Sequence, residues 1–570
     1  MAHSIAEIHS MLTSPGAPFE IAEIEIRGIK TRVWTHAPHS LRAVFDLSRL
    51  HGDKTFLVYE NERMSFEQHW RRAAHLASAL ANDFAIRKGD RVAIAMRNFP
   101  EWSVAFWAIT AAGGVVVPLN AWWTGEELDY GLRDSGSALL FADEERAERL
   151  APYLSGLGLR SVVVARARGA VAPGQLRFEA LVDGARPDPK VPELELDPED
   201  DATIFYTSGT TGRPKGALGT HRNICSNLTS LVFAQVRGAL RSGLALPSPG
   251  ESGSQSAQLL SVPFFHATGC HSILVVNTAF GGKLVMMHKW DPERALELIE
   301  RERISSFGGV PAMVWQVLES PSFSRRDLSS VTSVGYGGAP AAPELVRRIK
   351  DAFPKVSPGN GYGLTETSSV TTYNGGEDYV RKPESCGVPV PTCEVKVVDL
   401  QGNALPVGQV GELWIKGPNV VKGYWNKPEA TAETFTEGWL HSGDLAKVDD
   451  EGFVYIVDRA KDMLIRGGEN VYCVEVESVL YDHPAVMDAA VVGLPHRVLG
   501  EEVGAVVQVT PSARVTEDDL RKHVAERLAA FKVPVKIEIR QDPLPRNANG
   551  KILKRQLKEE LIGSEGSAAR

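Results

Sequence analysis

Short β-branched runs alternate with amphipathic helical patterns through the first two-thirds of this chain, and that alternation limits the fold more than any other feature. The pattern reads as a helix over residues 66–84, a strand over 91–96, a helix over 100–112 and a strand over 115–118. It resumes with strands at 259–262, 283–287 and 331–336 and helices at 292–302 and 343–353. Strands separated by helices predict βα units on a largely parallel sheet. At 570 residues, one such sheet with one core is not enough, so several packed units are expected. The longest apolar stretch, residues 102–119, is broken by Gly113-Gly114 and closed by Pro118, which predicts a buried helix, a turn and a buried strand rather than a membrane span.

The texture changes twice. From about Cys393 the sequence reads as strands joined by turn dipeptides, a smaller β-rich part. After Asp458 it becomes a compact αβ pattern, with elements at 474–481, 489–493, 503–510, 516–530 and 536–540. The expected organisation is an N-terminal domain over 1–458, with its β-rich subdomain at about 393–458, and a C-terminal domain over 459–570. The class is α/β, mixed α+β in the C-terminal part. The Gly/Ser/Pro-rich span 238–258 is expected to be an exposed loop.

Composition excludes several classes. A hydrophobic fraction of 43% and a charged fraction of 23% are ordinary for a globular protein. The net charge of -9 supplies no overall field for nucleic acid. The five cysteines are scattered without metal-ligand spacing, as expected of reduced thiols in a cytoplasm, and the N-terminus shows no secretory pattern.

The chemistry begins at residues 206–216, YTSGTTGRPKG, where a β-like approach runs into four hydroxyl side chains and three glycines and reaches Lys215. Glycines let backbone N–H groups turn inward, hydroxyls add donors, and the lysine adds a point charge, so the loop can surround phosphate oxygens. Gly216 follows Lys215 where a P-loop would carry Ser or Thr, so a different phosphate chemistry is implied.

This segment resembles the phosphate-binding signature of the adenylate-forming superfamily, and the resemblance continues in order from about Phe56 to Arg555. It implies ATP contacts from Thr207, Ser208, Gly209, Thr210, Thr211 and Lys215. VPFFHATG at 262–269 is similar to the family's aromatic-histidine motif and makes His266 a candidate beside the carboxylate and α-phosphate. YGGAP contributes Gly337, Gly338 and Ala339 along the nucleotide. NGYGLTET at 360–367 implies Asn360, Gly361 and Tyr362 at the adenine, Thr365 at the α-phosphate, and Glu366, with Thr210, at Mg²⁺; a hard dication prefers such oxygen donors. WLHSGDLA supplies Asp444 for the ribose hydroxyls, and DRAKDMLIRGGENVY supplies Arg459 and a hinge at Lys461. Gly467, Gly468 and Glu469 would face CoA, and Lys551 in PRNANGKILKR would be the catalytic lysine. Four positions after the hinge lysine, where plant aryl-acid ligases of the family often carry a second lysine, this chain has Ile465.

The resemblance implies an AMP-forming acid–thiol ligase using ATP, Mg²⁺ and coenzyme A, with a small C-terminal domain that swings between two steps. The acid pocket would lie among Thr268, Gly269, Ser272, Gly337 and Val370, with apolar walls from Phe264, Phe265, Val310 and Trp315. A medium- or long-chain fatty acid is the first expectation. The alternatives are an aromatic, arylalkanoic or steroid-derived acid, an enzyme loading a carrier protein in trans, and, in another class, a nucleotide-binding regulator without turnover. Assembly is left open, with a homodimer as one option.

Overall fold

The structure is a computed structural model that describes residues 3–183, 190–207, 213–243, 254–338, 343–467, 469–510, 513–547 and 551–568. The expected loop at 238–258 is shorter than the sequence implies: residues 238–241 belong to the helix His221–Arg241 and 257–258 to the strand Ala257–Leu260, while 244–253 lie outside the described residues.

Two large sheets form the N-terminal part. In the first, the strands Val115–Pro118, Arg91–Ala95, Leu139–Asp143, Ser161–Ala165 and Gln175–Arg177 run parallel beside Asp201–Thr207, and Lys215–Thr220 closes one edge antiparallel. In the second, Ser357–Tyr362, Ser333–Gly337, Ser306–Gly309, Ala257–Leu260, Lys283–Met286 and Thr55–Tyr59 are parallel, flanked by antiparallel strands. The α/β alternation read from the sequence therefore builds two sheets rather than one.

Helices between the sheets supply the core. The helix Phe66–Asn82 starts at a capping box in which Ser65 and Gln68 satisfy each other's backbone donors. The helix Pro100–Ala111 starts with proline at its first turn and is buried on nearly every side. Gly113, at φ +78°, turns the chain from that helix into Val115–Pro118, so the apolar run at 102–119 becomes helix, turn and strand. No helix among the described residues is long and apolar enough to cross a membrane. Trp102 stacks on Phe264 at 5.0 Å between ring centroids, fastening the helix to the segment that carries His266.

A five-stranded antiparallel sheet follows, built from Glu394–Val398, Gly411–Lys416, Phe435–Thr436, Trp439–Val448 and Val454–Arg459. The last sheet, from Leu464–Arg466 to Lys536–Arg540, has its own core around Val476, Val491, Val507 and Ile537. The architecture is thus a large N-terminal part and a smaller C-terminal αβ domain.

Candidate active site

Several of the expected site residues follow the C-terminal ends of parallel strands, where open α/β sheets bind their ligands. His266 follows Ala257–Leu260, Gly338 follows Ser333–Gly337, and Thr365 and Glu366 follow Ser357–Tyr362. These ends open into one cleft of about 2230 Å³ between the N-terminal sheets and the C-terminal domain.

At the end expected to hold phosphate, Thr207 and Lys215 are register partners on neighbouring antiparallel strands. Glycine suits position 216 in that pairing, since a Cβ there would sit 2.5 Å from Ile204 Cγ2. Ser208, Gly209, Thr210 and Thr211, like Ala339 and Gly468 elsewhere, lie outside the described residues. The Lys215 ammonium lies 4.9 Å from the ring centre of Tyr424, whose hydroxyl donates to Glu366 Oε1 at 2.7 Å. Tyr424 thereby links Lys215, expected at phosphate, to Glu366, expected at Mg²⁺. Nothing in its spacing points to it, because the segment reaches the site by backbone pairing, Trp425 N–H to Gly216 and Leu218 N–H to Gly423.

Tyr362, Asp444 and Arg459 form a second group. The Tyr362 hydroxyl donates to Asp444 Oδ2 at 2.6 Å, and Arg459 Nε lies 2.6 Å from Asp444 Oδ1. Asp444 and Arg459 are register partners on adjacent strands, so the pair is fixed by the sheet. Each Asp444 oxygen keeps a second lone pair for a further donor. Burial and the Asp444 charge push the Tyr362 phenol well above its usual value, so it stays a donor.

His266 sits in a tight loop. Asn98 holds that loop by accepting the Phe264 N–H at 2.8 Å and donating to the Val262 carbonyl at 3.0 Å, a contact between distant segments that sequence reading missed. The loop runs directly into Thr268–Leu274, a helical turn with π-type hydrogen bonding, a form frequent at functional sites. A Cβ at Gly269 would lie 2.1 Å from the Pro263 carbonyl oxygen, so glycine is required for the close approach. Gly269 does not itself line the cleft, whereas Thr268, Ser272, Gly337 and Val370 do. Ser272 donates to Ser369 at 2.7 Å, and Ser368 and Ser369 both adopt positive φ, at +54° and +111°. Two consecutive non-glycine residues in that region store strain beside the site.

Lys551 reaches the same cleft from the C-terminal domain, on a small hairpin closed by Asn547 N–H to Lys551 O and by Lys551 N–H to Asn547 Oδ1. It is open to the water of the cleft but crowded. Burial, then Arg459 and Lys461, lower its ammonium to about 8 against the opposing pull of Asp444 and Glu366. Burial and the nearby Lys551 lower His266 to about 4, so this imidazole is neutral at physiological pH. Lys461 lines the cleft, and Gly467 and Glu469, at the turn of the hairpin Leu464–Arg466 with Glu469–Val471, do not.

A cleft that gathers cations, hydroxyls and a carboxylate at one end and bare glycines at the other suits joining a carboxylate to a phosphate, and comparison with known proteins agrees. The family model described as AMP-binding enzyme matches residues 45–425, and that described as AMP-binding enzyme C-terminal domain matches residues 475–551. A feruloyl-CoA synthase of Amycolatopsis sp is 36% identical over 90% of this chain and 96% of its own length. A long-chain-fatty-acid–CoA ligase of Bacillus subtilis (strain 168) is 34% identical over 89% of this chain and 92% of its own. The solved o-succinylbenzoate CoA synthetase from Bacillus subtilis, in complex with its acyl-adenylate intermediate, has a TM-score of 0.74 at 30% identity, covering 90% of this chain and 97% of that one. With sequence order, fold and cleft in agreement, the chain belongs to the AMP-binding enzyme family of the adenylate-forming superfamily and is an AMP-forming acid–thiol ligase of the acyl-CoA synthetase type.

Proposed function

We propose that this ligase activates a hydrophobic monocarboxylic acid, foremost a medium- or long-chain fatty acid, to acyl-AMP and then to acyl-CoA. The observation that carries this reading is the continuation of the cleft from His266 past the glycine-bearing strand ends Gly308, Gly309 and Gly337 to Met287, Met313 and Trp315. Those glycines are structurally demanded, since a Cβ on Gly308 would meet the Gly335 carbonyl oxygen at 1.5 Å and one on Gly337 the Gly361 carbonyl oxygen at 2.5 Å. The same close strand packing leaves the floor without side chains, with room for an extended chain. The 36% identity to a feruloyl-CoA synthase favours a second reading, an aromatic hydroxycinnamate-type acid.

In the first step the carboxylate attacks the α-phosphorus of ATP and pyrophosphate leaves. Lys215, with the loop at Thr207, Ser208, Gly209, Thr210 and Thr211, would hold the distal phosphates. Gly338, Ala339, Asn360, Gly361 and Tyr362 would border the nucleotide, and Asp444 and Arg459 the ribose. Thr365 and His266 would orient the reacting phosphate and carboxylate, with His266 neutral as its environment dictates. Glu366, whose carboxylate lines the phosphate end, fits a hard dication, and with Thr210 it would hold Mg²⁺, which offsets triphosphate charge. Lys551 would stabilise the charge that develops as the carboxylate bonds to phosphorus.

In the second step the CoA thiol displaces AMP from the mixed anhydride. We place the domain boundary at 458/459 and the hinge at Lys461, with rotation exchanging Lys551 for the turn at Gly467, Gly468 and Glu469. This is supported by Lys551 lining the cleft while Gly467 and Glu469 lie off it, as the first step requires. A cytoplasmic location belongs to the same reading, consistent with five free, buried cysteines. The test is thioester formation across saturated acids of graded length and hydroxycinnamic acids. A kcat/KM that rises with chain length is expected; a higher value for ferulate than for every fatty acid would replace the first reading by the second.

A further inference from the structure

Asp458, on the strand Val454–Arg459, has no part in the scheme above, yet it is 1% exposed and fully engaged. Its neighbour Arg459 turns to Asp444, and strand alternation sends Asp458 to the other face. There one carboxylate oxygen accepts the Cys473 N–H at 2.5 Å and the other accepts the Arg459 N–H at 2.7 Å. Cys473 opens the C-terminal-domain helix Cys473–Tyr481, whose own N-cap residue, Tyr472, makes no side-chain capping bond. A carboxylate from another segment thus takes the place of the cap, at the helix end that favours negative charge.

Asp458 also faces Lys554, whose ammonium pairs with Glu477 at 2.7 Å. Lys554 begins the helix Lys554–Ala568, directly after the hairpin that carries Lys551. Glu477 in turn accepts the Val491 N–H at 2.8 Å, which ties Lys554 into the C-terminal sheet. The other charged or ionisable groups around this buried cluster include Asp462, Lys461 and the Cys473 thiol. Asp458 therefore contacts one helix of the C-terminal domain and faces the foot of the Lys551 arm, while its own strand is hydrogen-bonded to Trp439–Val448 in the preceding sheet.

We propose that Asp458 is a positioning residue for adenylation: from the N-terminal side of the hinge it fastens the C-terminal domain, through the Cys473 N–H, in the arrangement that brings Lys551 into the cleft. The proposal rests on the reading of Lys461 as hinge and Lys551 as the adenylation cation. Asp458 precedes that hinge and Cys473 follows it, so a rotation about Lys461 breaks the bond between them. That bond stabilises one of the two working arrangements and not the other.

The test measures the two half-reactions separately, with palmitate, or with ferulate if the acid panel prefers it. Adenylation is followed by exchange of labelled pyrophosphate into ATP, and thioester formation by CoA-dependent release of AMP from synthetic acyl-AMP. Asp458→Ala is expected to lower exchange about tenfold, as loss of a conformational bias of ordinary size would, with thioester formation unchanged or faster. Asp458→Asn keeps an oxygen for the Cys473 N–H but loses the charge and the second oxygen, which accepts the Arg459 N–H; because the bond across the hinge survives, its exchange falls less, and it decides the matter should the alanine variant fold poorly in a thermal melt. Equal loss in both half-reactions, or loss in neither, overturns the proposal. Lys551→Ala is the control for the underlying reading: if that variant exchanges pyrophosphate at the wild-type rate, the assignment of Lys551 fails, whatever Asp458 does.

Discussion

If the Lys551 ammonium stabilises charge during adenylation, the reaction must lose rate as that cation deprotonates. Lys551 is lowered to about 8 by burial and by Arg459 and Lys461. The cation is complete well below that pH and is lost as the pH rises through it. Between about pH 7 and about pH 9 the protonated fraction of such a group falls roughly tenfold, from about nine-tenths to about one-tenth. The measurement is kcat/KM for pyrophosphate exchange, which reports the free enzyme. It should show an alkaline limb with a midpoint near 8. Removing the cation with Lys551→Met should cost on the order of 3 kcal/mol of transition-state stabilisation, a factor of a hundred or more. The decisive variant is Lys551→Arg, because guanidinium stays charged throughout this range. Its residual exchange should lack the limb. An unchanged midpoint in the arginine variant would mean that another group titrates, and the electrostatic role assigned to Lys551 would be refuted.

Three further outcomes follow from the geometry. Gly269→Ala places a methyl 2.1 Å from the Pro263 carbonyl oxygen and must displace the loop carrying His266; a stability loss of about 1–3 kcal/mol and a raised KM for the acid are expected, read by thermal melting and steady-state kinetics. Asp444→Ala leaves the Tyr362 hydroxyl and the Arg459 guanidinium without their carboxylate, so the KM for ATP should rise at least about tenfold while the KM for CoA changes little. Arg146, 1% exposed, pairs with Asp143 at 3.0 Å and donates to the Ala121 carbonyl at 2.7 Å; Arg146→Leu strands a buried carboxylate and should cost about 3–5 kcal/mol, visible as a large drop in melting temperature.

Periodicity made the local elements legible. Residues 100–112 and 115–118 were readable as helix and strand because proline, a glycine pair and a second proline punctuate an apolar run, and the structure has Pro100–Ala111 and Val115–Pro118. The strand at 486–496 is longer than the expected 489–493, because it pairs along its whole length with Gly500–Val509 and such pairing overrides local signals. The residues His266, Glu366, Asp444 and Lys551 could be picked out because motif order marks them. Asn98, Tyr424 and Asp458 could not, since each acts on a partner brought near only by sheet assembly. Ile465, where plant relatives often have lysine, is 53% exposed and does not line the cleft.

The two ends of the cleft are built by opposite uses of one constraint. Parallel strands that approach closely admit only glycine at Gly308 and Gly337, and the bare floor this leaves suits a carbon chain that needs no partner. At the other end antiparallel register places Asp444 opposite Arg459 and Thr207 opposite Lys215, so polar and charged groups meet at fixed positions. Chain specificity should therefore shift with single side chains on the floor and leave nucleotide binding alone. Gly309 is the site to choose: a Cβ there would lie 2.7 Å from Met313 Sδ and 2.8 Å from Ser261 Oγ, side-chain atoms rather than backbone, and because φ +139° strains any residue with a Cβ, a thermal melt accompanies the kinetics. Gly309→Ala should raise the KM for long acids more than for short ones, with the KM for ATP unchanged. A rise of equal size for every acid would mean that the floor at Gly309 does not measure chain length.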